Sequence, residues 1–127
     1  MDLGPDAAEQ WRDEIDQLAI LGGILGELVF FYKASKTLIL TDTIMNLELD
    51  KIAQPWRFAT RLTGMYYPRG QLFFGMRLPL LFQKKKSRAA IERVLAWRPE
   101  RMILSHGRCF ESNGTATLQR IFNWVLN

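Results

Sequence analysis

At 127 residues the chain has the length of a single domain, and a chain of this size can bury a hydrophobic core without disulfides or metals to staple it. Its composition, 48% hydrophobic and 24% charged, is that of an ordinary globular protein. The net charge of +4 is only mildly basic, which argues against a dedicated nucleic-acid binder. We therefore expect one globular domain spanning residues 1–127.

Three sequence features indicate a cytoplasmic protein. Cys109 is the only cysteine, so an intrachain disulfide is excluded, which is typical of a reducing compartment. Residues 1–14 are acidic and lack the basic region and the apolar region of a signal peptide. The longest uncharged apolar stretch, residues 18–26, is too short to span a bilayer and contains three glycines.

The N-terminal part of the chain begins with polar residues and continues with a strand pattern. Asp6 is a candidate cap for a short helix that ends at Trp11. Residues 15–20 alternate apolar and polar side chains, which is the period of a half-buried strand. Gly22-Gly23 then predicts a turn.

A β-hairpin is predicted next. Residues 28–32 (LVFFY) and 37–40 (TLIL) are rich in side chains that pack on a pleated surface. The connection between them is short, so antiparallel pairing is the natural geometry. Because Leu38-Ile39-Leu40 is continuously apolar, we expect this strand to be buried on both faces and to lie inside the sheet.

Helical patterns follow the hairpin, interrupted by one irregular segment. Pro55 and Gly64 mark the start and the stop of a predicted helix. Residues 85–98 carry an apolar stripe at helical spacing, which predicts a second helix. Between the two, residues 65–83 are apolar and aromatic without a clean period, an unusual composition for a surface.

The end of the chain completes the predicted fold. Residues 101–104 (RMIL) predict a short strand, and apolar positions within residues 118–125 predict a C-terminal amphipathic helix. The fold class is therefore α/β of an α+β-like kind, with one mixed sheet and helices packed on it.

A basic cluster begins the second predicted helix, formed by Lys84, Lys85, Lys86 and Arg88. Cations at a helix start oppose the helix dipole, so helix stability does not explain them. Such a cluster can bind anionic lipid or nucleic acid. A solvated basic face is the simpler interpretation, because charge runs are commonly just exposed. The sequence thus carries no strong nucleic-acid or membrane signal.

Two predicted strands end in a side chain that can ligate a metal ion. Residues 37–42 (TLILTD) deliver Asp42, and residues 101–107 (RMILSHG) deliver His106, followed by a glycine that allows a sharp turn. If both strands lie in one sheet, both side chains can emerge at the same edge, where open α/β sheets bind ligands. Carboxylate and imidazole are ordinary ligands of zinc, iron and manganese. The structural alternatives are a turn-capping Asp42 and a hydrogen-bonded His106, with Asp42 as its partner.

This pattern resembles the metallo-β-lactamase-fold superfamily. That superfamily places a bridging aspartate after a hydrophobic strand, in a TGD-like motif, and a last metal-binding histidine in an HG-like motif at a strand end. Leu40-Thr41-Asp42 is similar to the first, with Thr41 where glycine is usual, and Leu104-Ser105-His106-Gly107 is similar to the second. The runs EIDQL, ELVFFYKASKTLILTDTIMN and RVLAWRPERMILSHG are more closely similar to an uncharacterised branch, a domain of unknown function, and this resemblance covers roughly residues 10–127. The resemblance implies the C-terminal half of a two-layered αββα sandwich.

The departures from that superfamily decide the functional prediction. Its His-x-His-x-Asp-His motif, in the N-terminal half of the fold, is absent, because His106 is the only histidine. Close relatives often have an aromatic-aromatic-His run where this chain has Phe30-Phe31-Tyr32. A two-metal hydrolytic site needs several imidazoles besides the bridging carboxylate. We therefore expect Asp42 and His106 to form a vestigial metal site without a tightly bound cofactor, zinc or another divalent ion being the candidate metal.

Three functions stay open at this point. The first is a truncated or degenerate metallo-β-lactamase-like protein without catalysis of its own; if active, it is a metal-dependent hydrolase with ligands from another chain or a longer gene product. The second is an oligomerising binding or structural module. Its aromatic segment 65–83 and a sheet face left open by a missing N-terminal half then bind a partner, first of all another copy. The third is peripheral membrane or nucleic-acid association through residues 71–88, which include the basic cluster.

Three other polar side chains lie near the predicted strand ends. Glu27 begins the first hairpin strand and can face the same edge, but we expect a surface glutamate. Ser105 and His106 are neighbours on a strand and point to opposite faces, which argues against a nucleophile and its base. We expect Cys109 to be a partly buried cysteine and not a reactive thiol.

Overall fold

A computed structural model describes residues 9–20 and 26–127. The predicted helix cap at Asp6 and the predicted turn at Gly22-Gly23 lie outside the described residues. Within those residues the regular elements are, in chain order, β1 (Ile15–Ile20), β2 (Glu27–Tyr32), β3 (Thr37–Ile39), β4 (Ile44–Met45), α1 (Gln54–Thr63), β5 (Gln71–Leu72), α2 (Arg77–Phe82), α3 (Lys84–Ala96), β6 (Arg101–Ile103) and α4 (Gly114–Leu126).

The main sheet has the strand order β1-β2-β3-β6. β1, β2 and β3 pair antiparallel, whereas β3 and β6 pair parallel, so the sheet is mixed. The predicted hairpin, the interior position of β3 and the α+β fold class are confirmed. A separate two-stranded sheet of β4 and β5 was not predicted, because two-residue strands leave no period in the sequence.

One face of the main sheet carries the core. The register places Leu38 between Phe31 and Met102, and all three side chains are buried. Leu18 and Val29 form a further buried pair on β1 and β2. The helices α3 and α4 contribute their buried sides to the same cluster through Ile91, Val94, Leu118, Ile121, Phe122 and Val125. Alternation on the strands and helical spacing on α3 and α4 thus meet in one hydrophobic cluster.

The opposite face of the sheet is also apolar but less buried. Phe30, Ile39 and Ile103 form a row across β2, β3 and β6. Phe30 and Ile39 are half-buried, and Ile103 is 47% exposed. This row is an apolar surface outside the main core.

The ends of the predicted helices agree closely with the structure. Pro55 lies in the first turn of α1, and Gly64 ends it with φ +78°, a left-handed conformation that glycine adopts without strain. α3 ends at Ala96, and Trp97 after it stacks on Phe31 with ring centroids 5.4 Å apart. The helix predicted over residues 85–98 is therefore confirmed with an earlier end.

The prediction that residues 65–83 are irregular was wrong for their second half. Arg77–Phe82 forms α2, and Pro79 is tolerated there because it lies in the first helical turn, where backbone N–H groups have no partner within the helix. The apolar side chains of this segment divide between two environments. Met76 and Leu80 are buried in the core, whereas Phe82 is 80% exposed.

The loop before β5 is tied to the C-terminal helix. Arg120 on α4 donates hydrogen bonds to the carbonyl oxygens of Arg69 and Gly70. Burial and the neighbouring Arg69 lower the pKa of Arg120. In the part of the chain that the structure describes, no helix is long and apolar enough to cross a membrane.

Candidate functional site

The candidate site lies at the carboxyl ends of β3 and β6. These strands are parallel neighbours in register, with Leu38 opposite Met102 and Ile39 opposite Ile103, so both chains leave the sheet at the same edge. The structure brings Asp42 and His106 together there. The Oδ1 atom of Asp42 lies 2.8 Å from Nε2 of His106, a hydrogen bond in which the imidazole N–H donates to the carboxylate.

Both side chains of this pair are accessible to solvent. The Asp42 side chain is 72% exposed and the His106 side chain 44% exposed. Water therefore screens the contact strongly, and we expect it to add little to the stability of the fold. The pair lies on the surface, where a ligand could reach it, and its two side chains hydrogen-bond to each other.

Backbone hydrogen bonds hold the two loops of the pair together. The N–H of Asn46 donates to the His106 carbonyl at 3.1 Å, and the N–H of Arg108 donates to the Asn46 carbonyl at 2.9 Å. Gly107 lies between these bonds with φ +94°, and a Cβ there would stand 1.9 Å from the Asn46 carbonyl oxygen. Only glycine fits this close approach of two backbones.

Glu27 is not the surface glutamate that we expected. It is buried and binds the residues that follow β3. It is 9% exposed, and its Oε1 accepts hydrogen bonds from the Thr41 N–H, from the Thr41 hydroxyl at 2.6 Å and from the Asp42 N–H at 3.1 Å. A carboxylate that accepts several N–H and O–H donors fixes the turn that follows β3. The apolar run that follows Glu27 gave no signal of this partner, because Thr41 is distant in sequence and adjacent only across the hairpin.

A cavity of about 340 Å³ lies beside Asp42. Its lining combines the carboxylates of Glu27 and Asp42 with apolar side chains, and consists of Gly26, Glu27, Thr41, Asp42, Met45, Phe73 and Met76. Two carboxylates in one lining favour a positively charged ligand over an anionic one. A larger surface cavity, of about 760 Å³, is lined by Lys36 and Glu100, which precede β3 and β6, so it lies away from this edge.

The described residues at this edge offer fewer metal donors than a zinc site usually has. Zinc takes four protein ligands in structural sites and three in catalytic sites. In residues 9–20 and 26–127, no group of three or more His, Cys, Asp and Glu side chains is placed to hold a metal ion. Asp42 and His106 supply two donors, and Oε1 of Glu27 is already engaged by Thr41 and the Asp42 backbone.

The remaining predicted residues lie outside the pair. Cys109 is exposed, where a partly buried position was expected, and its sulfur lies 4.0 Å from the Leu104 carbonyl oxygen. The basic cluster belongs to the first turns of α3 and not to the strand edge. Within it, Lys84 donates to the Asn127 carbonyl at 3.1 Å, and Arg88 pairs with Glu92 at 2.9 Å.

Comparisons with known proteins leave the chain without an assigned family. No family model, no curated protein and no solved structure matches it. The resemblance to the metallo-β-lactamase-fold superfamily therefore rests on the sequence patterns alone.

Proposed function

We propose that this chain is a metallo-β-lactamase-like protein with a degenerate metal site, and that it does not catalyse a reaction by itself. The observation that carries the proposal is the 2.8 Å hydrogen bond between Asp42 and His106. Asp42 and His106, which would each ligate a metal ion in a hydrolase, are hydrogen-bonded to each other here.

Two further features support a non-catalytic site. A metal-dependent hydrolase needs three protein ligands and an open coordination position for water. The two donors at this edge fall short of that requirement. In addition, the carboxylates of Glu27 and Asp42 line the adjacent cavity, and their negative charge favours a cationic ligand over an anionic one.

Turnover assays with added zinc or manganese test this proposal. Purified protein is incubated with a phosphodiester, a thioester and a β-lactam, with the double variant Asp42→Ala, His106→Ala as the matched blank. We expect the same background rate for both proteins. Metal-dependent turnover that the double variant loses would contradict the proposal.

The second candidate function is an interaction module that binds another copy of this chain through the open sheet face. The row Phe30, Ile39 and Ile103 favours it, because these side chains are apolar and only partly buried. The three side chains of the row are uncharged, and a symmetric pair of copies buries the same patch twice. In the resembling superfamily, this face corresponds to the one that the N-terminal half of the fold would cover.

Sedimentation of the wild-type protein and of Ile103→Lys tests the second candidate. We expect concentration-dependent dimers for the wild type and monomers for the variant. In a two-fold interface the lysines of the two copies would lie close together and repel each other. Leu81→Ser, an exposed apolar position on α2, is the matched control and keeps the dimer. A wild-type protein that stays monomeric at all concentrations rules this candidate out.

A further inference from the structure

The charges of this chain are segregated along the sequence. Residues 51–91 contain nine lysines and arginines and no aspartate or glutamate. The other residues carry the remaining eight lysines and arginines together with all 13 acids. A 41-residue stretch with nine cations and no acid, in a chain of net charge +4, indicates a local surface for a negatively charged partner, although Lys51 and Arg88 pair with Glu48 and Glu92 outside it.

Helix α1 begins in this stretch and presents its apolar side to solvent. Phe58 is 73% exposed and Leu62 is 77% exposed, one helical turn apart. Thr60 is the only buried residue of this helix. Arg57 is half-buried and its Nε donates to the Ile52 carbonyl at 2.7 Å. An amphipathic helix that packs on a core turns its apolar side inward and its polar side to solvent. The outward apolar side of α1 is therefore a surface for a partner.

The exposed apolar surface continues from α1 onto α2. Phe74, Leu78 and Phe82 follow one another at intervals of four residues, and each is at least 60% exposed. Leu62 and Phe74 line the same groove together with Arg77, so the apolar sides of α1 and α2 adjoin. Large aromatic and aliphatic side chains grouped in this way mark an interaction site and not a random surface.

The basic cluster follows this apolar surface directly. Only Gln83 separates Phe82 from Lys84, Lys85 and Lys86. Of the ion pairs in the described part of the chain, none involves these three lysines. Their position at the start of α3 opposes the helix dipole, so their charge does not serve the helix. All three lysines are exposed, and Lys84 also donates to the Asn127 carbonyl.

We propose that α1, residues 74–82 and Lys84–Lys86 form one docking surface for an anionic lipid bilayer. Helices with apolar side chains on one side and cations beside them bind the interface of such membranes, where aromatic and leucine side chains enter the headgroup region. The contact is peripheral. It requires neither metal binding nor catalysis, so it goes beyond the function proposed for the strand edge.

The charge of this surface decides between a bilayer and other partners. A second copy of the chain would bring two acid-free surfaces together and would be repelled. The phosphates of a nucleic acid would pair with the cations, but phosphates and sugars do not cover exposed Phe58, Leu62 and Leu78. An anionic bilayer offers negative headgroups and an apolar interior to the same surface.

Co-sedimentation with vesicles is the primary test. Vesicles of phosphatidylcholine alone are compared with vesicles that also contain phosphatidylserine, at low and at high salt. We expect binding only to the phosphatidylserine vesicles, because their negative headgroups attract each lysine. High salt should weaken this binding, because it screens the attraction. Trp56 lies on exposed α1, so its emission shifts to the blue on binding, and Trp56→Phe removes this shift.

Two sets of variants locate the surface. Lys84→Gln, Lys85→Gln and Lys86→Gln together weaken binding on the order of a hundredfold, since each charge near an anionic surface contributes about 1 kcal/mol, or roughly fivefold. Phe58→Ser with Leu62→Ser removes binding without changing the net charge. Lys33→Gln with Lys36→Gln, two exposed hairpin lysines, is the matched control and binds as the wild type does.

Each alternative result overturns the proposal. Equal binding to both kinds of vesicle would remove the role of the cations. Loss of binding in the hairpin control would place the surface elsewhere. Tight binding to an oligonucleotide that the Phe58→Ser, Leu62→Ser variant keeps would identify a nucleic-acid surface. No binding to phosphatidylserine vesicles at low salt would exclude the membrane.

Discussion

The hydroxyl of Thr41 donates a hydrogen bond of 2.6 Å to the carboxylate of Glu27, and this contact shapes the end of the central strand. Glu27 begins β2 and Thr41 follows β3, so the bond closes the open end of the hairpin. Thr41 directly precedes Asp42, and Glu27 accepts hydrogen bonds from the hydroxyl and from the N–H of Thr41.

Removing the Thr41 hydroxyl destabilises the protein. Thr41→Val keeps the shape of the side chain but leaves the buried carboxylate with one donor fewer, which costs about 1.5–3 kcal/mol of unfolding free energy. Thr41→Ser keeps the hydroxyl and serves as the control. Urea denaturation measures both variants, and equal stability of the two would show that the hydroxyl bond contributes nothing.

Neutralising Glu27 has a similar effect by a different route. Glu27→Gln has the same size but replaces a charged acceptor of three hydrogen bonds by an amide, and we expect a loss of about 1–3 kcal/mol. Glu111, an exposed glutamate, provides the matched change Glu111→Gln, which we expect to be neutral. Thermal and urea unfolding distinguish the two. A neutral Glu27→Gln would contradict the organising role of this carboxylate.

A side chain at position 107 disrupts the loop that carries His106. Gly107→Ala combines a left-handed backbone with a Cβ that stands 1.9 Å from the Asn46 carbonyl oxygen, so we expect a loss of more than about 2 kcal/mol. Gly64→Ala is the control, because Gly64 has φ +78° but the nearest atom to its Cβ, at 3.3 Å, belongs to the flexible Arg69 side chain. That change costs about 1 kcal/mol. A Gly107→Ala loss no larger than the Gly64→Ala loss would refute the close approach.

The Asp42–His106 pair contributes little to stability despite its short distance. A double-mutant cycle with Asp42→Asn and His106→Gln yields a coupling of about 0.2–1 kcal/mol, because both side chains are accessible to solvent. The coupling decreases further at high salt, since solvent screens exposed charges. A coupling well above this range would mean that the pair is a structural element of the fold.

The fold was predictable where a residue pattern has a period. The apolar run of β3, the alternation of β1 and the stripe of α3 each predicted their element, and Gly64 predicted the end of α1. β4 and β5 are too short to show alternation, and α2 is hidden by Pro79 at a position where helices accept proline.

The candidate site was predictable only in part. Asp42 and His106 follow apolar strands, and the parallel pairing of β3 and β6 brings them together as the strand-end pattern suggests. The contact between Glu27 and Thr41 depends on the register of the hairpin, which no local pattern encodes. The fit of Gly107 against Asn46 likewise depends on a tertiary contact between two loops that are distant in sequence.

Zinc affinity at the strand edge tests the central claim most directly. Calorimetric titration of the wild type, of the double variant Asp42→Ala, His106→Ala and of a Glu111→Ala control compares the two-donor edge with an ordinary surface carboxylate. The account predicts that all three proteins behave alike, with no saturable binding at micromolar zinc, because two donors do not hold the ion. Stoichiometric tight binding that the double variant alone loses would contradict it.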